Sequence, residues 1–168
     1  MKLTLREAIV FSMLGSLMFL SKLLLEALPN VHLLAVLTVT YTVCYREKAL
    51  YPIYLFVLLT GLYAGFNLWW IPHLYLWAVL FLATLFLPRE MPPHIAAPVY
   101  MLLCGLHGLL YGTMYAPAQA LMYGLDFHGM LVWIAAGLPF DAIHAVSNFC
   151  MGILVLPLTR ALRAARRG

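Results

Sequence analysis

The sequence predicts an all-α integral membrane protein with six transmembrane helices and both termini in the cytoplasm. Three observations carry that prediction. Of the 168 residues, 65% are hydrophobic and only 10% charged, whereas soluble domains run near half apolar and about a quarter charged. Six apolar runs recur along the chain, separated by short polar or proline-marked breaks. Nine of the ten Lys and Arg residues then fall on one side: Lys2, Arg6, Arg46, Lys48, Arg89, Arg160, Arg163, Arg166 and Arg167 occupy the termini and every second loop. That is the positive-inside pattern. The tenth, Lys22, lies inside the first span near its far end.

Taken in order, the first span covers residues 7–28 and ends at Pro29-Asn30. Lys22 and Glu26 stand where a small-x-small cleavage site would follow a signal peptide, so this segment is expected to be a retained helix. The second span, 31–45, is short and leads into the tight inner loop Arg46-Glu47-Lys48. The third covers 49–66, with Pro52 in its first turn, where a missing N–H is harmless. Asn67 to Pro72 forms an outer turn. Trp69, Trp70, Trp77 and Trp133 are expected mainly as interfacial anchors.

Span four covers 73–87, and Pro88-Arg89-Glu90-Met91-Pro92-Pro93 is the clearest break in the chain. Span five covers 95–116 and is expected to be interrupted by Pro117. Residues 118–137 contain Gly124, Asp126, His128, Gly129 and Gly137, and are expected as a long outer loop with a short interfacial helix. Span six is placed over 139–158, because one helix from 128 to 158 would be ~46 Å long against a hydrocarbon core of about 30 Å. Residues 1–168 are thus one six-helix domain, with no room for a soluble catalytic unit.

Several function classes drop out. Walker A, GxSxG, HExxH and CxxC patterns are all absent from the sequence, so a non-catalytic chain without cofactor or bound metal is expected. Cys44, Cys104 and Cys150 fall within spans and are expected to be packing residues. The net charge of +4 belongs to the cytoplasmic face and to a C-terminal arginine cluster suited to anionic headgroups of the lipid bilayer, so no nucleic-acid partner is expected.

Depth locates the candidate site. At about 1.5 Å per residue, Lys22 lies ~24 Å along span one from Arg6, and Glu26 ~30 Å. On span five, His107, Tyr111 and Tyr115 recur at i, i+4 and i+8; on span six, Asp141, His144 and Asn148 recur at i, i+3 and i+7. The outer turns add Asn30, His32, Asn67, Trp70 and His73, with Gln119 beyond span five. A lipid-facing charge costs at least ~2.5 kcal/mol, so these stripes should face one another or water. Their shared depth predicts an outward-opening polar pocket between spans one, five and six. Lys22 and Glu26 either line it or pair with each other, and Asp141 at the start of span six is also placed to stabilise a helix dipole. At the inner side of span one, Ala8, Ser12 and Ser16 recur every four residues, a spacing that lets another helix approach closely.

With this topology and length, three motifs carry a family resemblance: Leu28-Pro29-Asn30 followed by His32, Tyr63-Ala64-Gly65-Phe66-Asn67 with Trp69-Trp70, and Leu138-Pro139-Phe140-Asp141-Ala142-Ile143-His144. The chain resembles the substrate-binding S components of energy-coupling factor (ECF) transporters. The resemblance implies an S-component-like bundle in the bacterial cytoplasmic membrane. It implies capture of a vitamin or related micronutrient, and association with one membrane scaffold protein and two ATPases. Ala8-x-x-x-Ser12 stands where the family's docking surface has Ala-x-x-x-Ala, a departure at the serine. Met1-Lys2 replaces the Met-His of nickel and cobalt members and argues against that branch. Two other readings stay open: a structural membrane scaffold of the rod-shape-determining MreD type, and a small membrane subunit of prenyl or lipid metabolism.

Overall fold

A computed structural model of the chain describes residues 3–28 and 30–167. Met1, Lys2, Pro29 and the Arg167 side chain, on which parts of the topology and motif readings fall, lie outside the described residues. Among the described residues every regular element is helical. The helices are α1 (Leu5–Leu24), α2 (Leu34–Tyr45), α3 (Leu50–Ala64), α4 (His73–Leu85), α5 (Pro93–Leu109), α6 (Tyr111–Tyr123), α7 (Phe127–Met151) and α8 (Val155–Arg167). Among the described residues, four helical stretches are long and apolar enough to cross a membrane: Leu5–Leu24, Leu68–Leu85, Pro93–Tyr123 and Phe127–Arg166. With 12 and 15 residues, α2 and α3 are shorter than the ~20 typical of a span, although a short segment can cross where the bilayer thins.

The short α2 is the axis of the bundle. Leu34 to Thr42 are all buried, as expected of a helix that is apolar on every face. It packs against α1, α4, α5 and α8. One apolar cluster joins Phe11, Met18, Ile53, Phe56, Trp77 and Phe81. A second joins Val36, Val39, Leu80, Tyr100, Cys104 and Val155. Thr42 returns its hydroxyl to Thr38 O at 2.7 Å, and Tyr41 donates to Leu14 O at 3.1 Å, whereas the buried hydroxyls of Thr38 and Thr40 have no partner. Of the three cysteines, Cys104 is buried, Cys44 half-buried and Cys150 exposed on α7, which corrects the packing role expected of the last.

One end of the bundle gathers the basic residues. Thr4 caps α1 in a reciprocal capping box with Glu7, and the Glu7 carboxylate also meets the Lys48 ammonium. Arg46 donates to Leu85 O at 2.6 Å, and Arg166 to Cys44 O at 3.1 Å. The start of α1 and the ends of α2, α4 and α8 therefore lie together.

The second half of the chain departs from expectation. Residues 118–137 are not a long loop: α6 runs through Pro117 to Tyr123, and α7 begins at Phe127 and continues through Pro139. Each proline removes only one N–H, a loss that packed neighbours absorb in an apolar bundle. The break between α5 and α6 falls instead at Leu110 (φ −92°, ψ 0°). The true punctuation is Gly124, a left-handed C-terminal stop at φ 67°, followed by Asp126, whose side chain accepts from Gly129 N at 2.7 Å. The length argument against a long last helix also fails. The helical run from Phe127 to Arg166 is interrupted only by the 3-10 turn Gly152–Leu154, and a helix can project beyond the hydrocarbon.

Candidate functional site

Glycines set the geometry of the site. Gly105, Gly108 and Gly112 recur at i, i+3 and i+7 along α5 and α6, facing α7 in antiparallel register. A Cβ at Gly108 would lie 2.8 Å from His144 O, one at Gly105 would lie 3.1 Å from Phe149 Cβ, and one at Gly112 would collide with the Asp141 carboxylate. Gly152 continues the seam, where a Cβ would lie 2.7 Å from Met101 Cα. Close backbone approach of this kind is the small-residue packing of apolar helix pairs.

That contact holds Asp141, His144 and Asn148 of α7 in the interior, and all three are buried. Asp141 is not a helix-start charge, because α7 begins at Phe127; its Oδ1 accepts from Gly112 N at 3.1 Å. The Nε2 atoms of His144 and His32 approach to 2.8 Å. One ring must donate there and the other accept, which fixes complementary tautomers. The Tyr111 ring lies 5.0 Å from that of His144, and the Trp77 ring lies 5.5, 6.2 and 6.3 Å from His107, Tyr111 and His32. His107 Nε2 faces Leu76 O at 3.2 Å and must donate, since a carbonyl only accepts, so Nδ1 of the neutral ring is an acceptor.

The cluster is under-bonded. Asp141 Oδ2, His107 Nδ1, His32 Nδ1, Trp77 Nε1 and both amide atoms of Asn148 are buried without a hydrogen-bond partner. Each such group costs about 1–3 kcal/mol relative to a bonded one. Trp77 is 1% exposed, which corrects its expected place as an interfacial anchor.

The other candidates fall outside this cluster. Trp70 donates Nε1–H to Val57 O at 2.8 Å and packs on the core. Asn67 is exposed and caps the 3-10 turn Leu68–Trp70 by accepting from Leu68 N at 2.6 Å. His73 Nδ1 faces Trp69 O at 3.2 Å. Gln119 is half-buried on α6, and Asn30 holds a left-handed turn at φ 59°, a conformation asparagine tolerates. Lys22 lies in the last turn of α1, near enough for its charge to act on His32 and His73, while Glu26 lies exposed beyond the helix. Among the described residues no ion pair joins them.

The convergence therefore runs between the start of α2 and α4, α5, α6 and α7, not between the first, fifth and sixth spans as expected. Ring contacts join its members, and a cavity of about 370 Å³ lies at the other end of α2, beside Tyr45. At α1, Gly15 is the residue pressed against α3, its Cβ position 2.9 Å from Pro52 O and Leu55. Ser12 is exposed, and Ala8 and Ser16 are half-buried. Among the described residues no three His, Cys, Asp or Glu side chains come together as ligands for one metal ion.

Sequence reasoning missed Trp77 and the glycine seam. The spacing of Gly105, Gly108 and Gly112, with His107 between them, was the available signal. Compared with protein-family models, curated proteins and solved structures, the chain finds no match.

Proposed function

We propose that the chain is a six-span membrane subunit that captures a small polar heterocyclic nutrient, of vitamin type, for an ECF-type importer, with both termini cytoplasmic. It does no chemistry itself and relies on a membrane scaffold and two ATPases. One observation supports this above the others: the His32, Trp77 and His107 rings meet in the interior, Asp141 and Asn148 lie buried on the adjoining face of α7, and together these five residues leave six buried polar atoms unpaired. Those atoms offer both donors (Trp77 Nε1–H, the Asn148 amide) and acceptors (His107 Nδ1, Asp141 Oδ2, Asn148 Oδ1) beside aromatic faces. A heterocycle carrying donors and acceptors matches that set, with rings to stack on and polar groups to fix its orientation. With the Tyr111 ring 5.0 Å from that of His144, Tyr111 would part from it to admit the ligand.

The test is mass spectrometry of small molecules extracted from protein purified in mild detergent, with Asn148→Ala and His144→Ala alongside. A retained heterocycle that both variants lose supports capture. A wild-type chain that retains nothing, and whose melting temperature is unmoved by a panel of water-soluble vitamins, refutes it. Co-purification with cell-wall or cytoskeletal proteins and no ATPase would favour the scaffold reading instead.

A further inference from the structure

The cavity of about 370 Å³ opens between the first turns of α1 and the last turns of α8. It is far larger than the ~30 Å³ share of one water. Its walls are buried Phe11 and Leu14 with half-buried Leu162, and its exposed side carries Arg6 and Arg166. Glu7 also lines it, but its carboxylate is already matched by the Lys48 ammonium and the Thr4 N–H. The mouth is therefore net cationic. Arg166 is held in place by its bond to Cys44 O at 3.1 Å and by its position 5.4 Å over the Tyr45 ring. A guanidinium has five N–H donors, so most of its capacity stays free. Arg6 has no hydrogen bond or ion pair to protein among the described residues.

Two guanidiniums beside an apolar cleft match an anionic amphiphile. We infer that this cleft holds one anionic phospholipid, its phosphate between Arg6 and Arg166 and an acyl chain along Phe11, Leu14 and Leu162. Paired guanidiniums recognise phosphate oxygens by charge-assisted hydrogen bonds. The apolar wall excludes free phosphate as the preferred occupant, since it would contribute nothing to binding that ion. This inference rests on the membrane location proposed above and is independent of nutrient capture.

The full chain in neutral detergent is titrated with dioleoyl-phosphatidylglycerol, dioleoyl-phosphatidylcholine or inorganic phosphate, and retained lipid is counted by native mass spectrometry. One phosphatidylglycerol per chain is expected, with phosphatidylcholine at least tenfold weaker and no competition from millimolar phosphate. The pair Arg6→Gln/Arg166→Gln should weaken retention at least tenfold, and Val10→Phe, which fills the cleft without removing charge, at least fivefold. Arg89→Gln/Arg160→Gln removes the same charge elsewhere and should change it less than twofold. Arg6→Gln alone, at an exposed side chain with no partner to lose, keeps the test valid if the pair fails to fold. Equal losses in both charge pairs, full competition by phosphate, or an indifferent Val10→Phe would each overturn the site. Flotation with phosphatidylcholine vesicles separates the two failures: a chain that does not float refutes the membrane location, whereas one that floats without favouring phosphatidylglycerol refutes only the lipid site.

Discussion

Gly112→Ala is the sharpest perturbation of the site's framework. Its methyl group would collide with the Asp141 carboxylate, which is 6% exposed and accepts from Gly112 N at 3.1 Å. That hydrogen bond breaks and α6 is pressed away from α7. Losing the bond costs about 1–3 kcal/mol, and forcing a methyl into a packed contact costs about 1–3 kcal/mol. Alanine returns about 1 kcal/mol of helix propensity. The balance is a destabilisation of about 1–5 kcal/mol, read as a lower melting temperature in detergent. Gly137→Ala is the control: its Cβ meets nothing within 4 Å, so propensity alone acts and the melting temperature should hold or rise. In the Asp141→Ala background the obstacle is gone, and Gly112→Ala should cost little more, a coupling about as large as its loss in the wild type. Additive losses, or a Gly112→Ala chain as stable as wild type, would refute the close approach of α6 to α7.

Other perturbations separate packing from binding. Asn148→Leu removes two unpaired buried polar atoms, so stability without ligand should rise by about 1–3 kcal/mol while the extracted small molecule disappears; a lower melting temperature would mean the amide is bonded. Trp70→Phe loses the bond to Val57 O, which should cost about 1 kcal/mol with small-molecule retention unchanged, and lost retention would bring Trp70 back into the site. Lys22→Gln and Glu26→Gln break no ion pair and should each change stability by less than about 0.5 kcal/mol. His32→Ala and His144→Ala should be strongly non-additive, because removing either ring already breaks the shared 2.8 Å contact.

Helical class was legible because composition and apolar run length are local properties of the chain. The stripe Asp141, His144 and Asn148 was legible for the same reason, since spacing alone places side chains on one face. Two misjudgements came from treating single residues as decisive. Pro117 and Pro139 looked like breaks, yet the helix ends where Gly124 takes up φ 67° and Asp126 caps its successor. Lys22 and Glu26 looked like a pair at i, i+4, but α1 stops at Leu24 and carries only the first of them. Long-range partners were beyond reach: nothing local to His32 announces His144, which is 112 positions away. Trp77 was misplaced because a tryptophan near a span's end looks the same in sequence whether it faces headgroups or helices.

The glycine seam and the unpaired polar atoms are two sides of one arrangement. Close approach at Gly108 and Gly112 leaves no room between α5–α6 and α7 for side chains at those positions, so Asp141 and His144 are fixed by backbone contact and not by a polar network. An interior assembled for stability alone would have completed that network or replaced it with apolar residues, since a half-satisfied one is worse than either. The adjoining wall of α2 is mixed: Ala35, Val36 and Val39 are fully buried, and so are Thr38 and Thr40, whose hydroxyls also have no partner. The bundle thus spends rigidity on holding polar atoms that its own residues leave unbonded. In the proposed capture role, a rigid backbone frame around incomplete hydrogen bonding is what would keep these atoms open to a ligand, because without the frame they would relax toward one another.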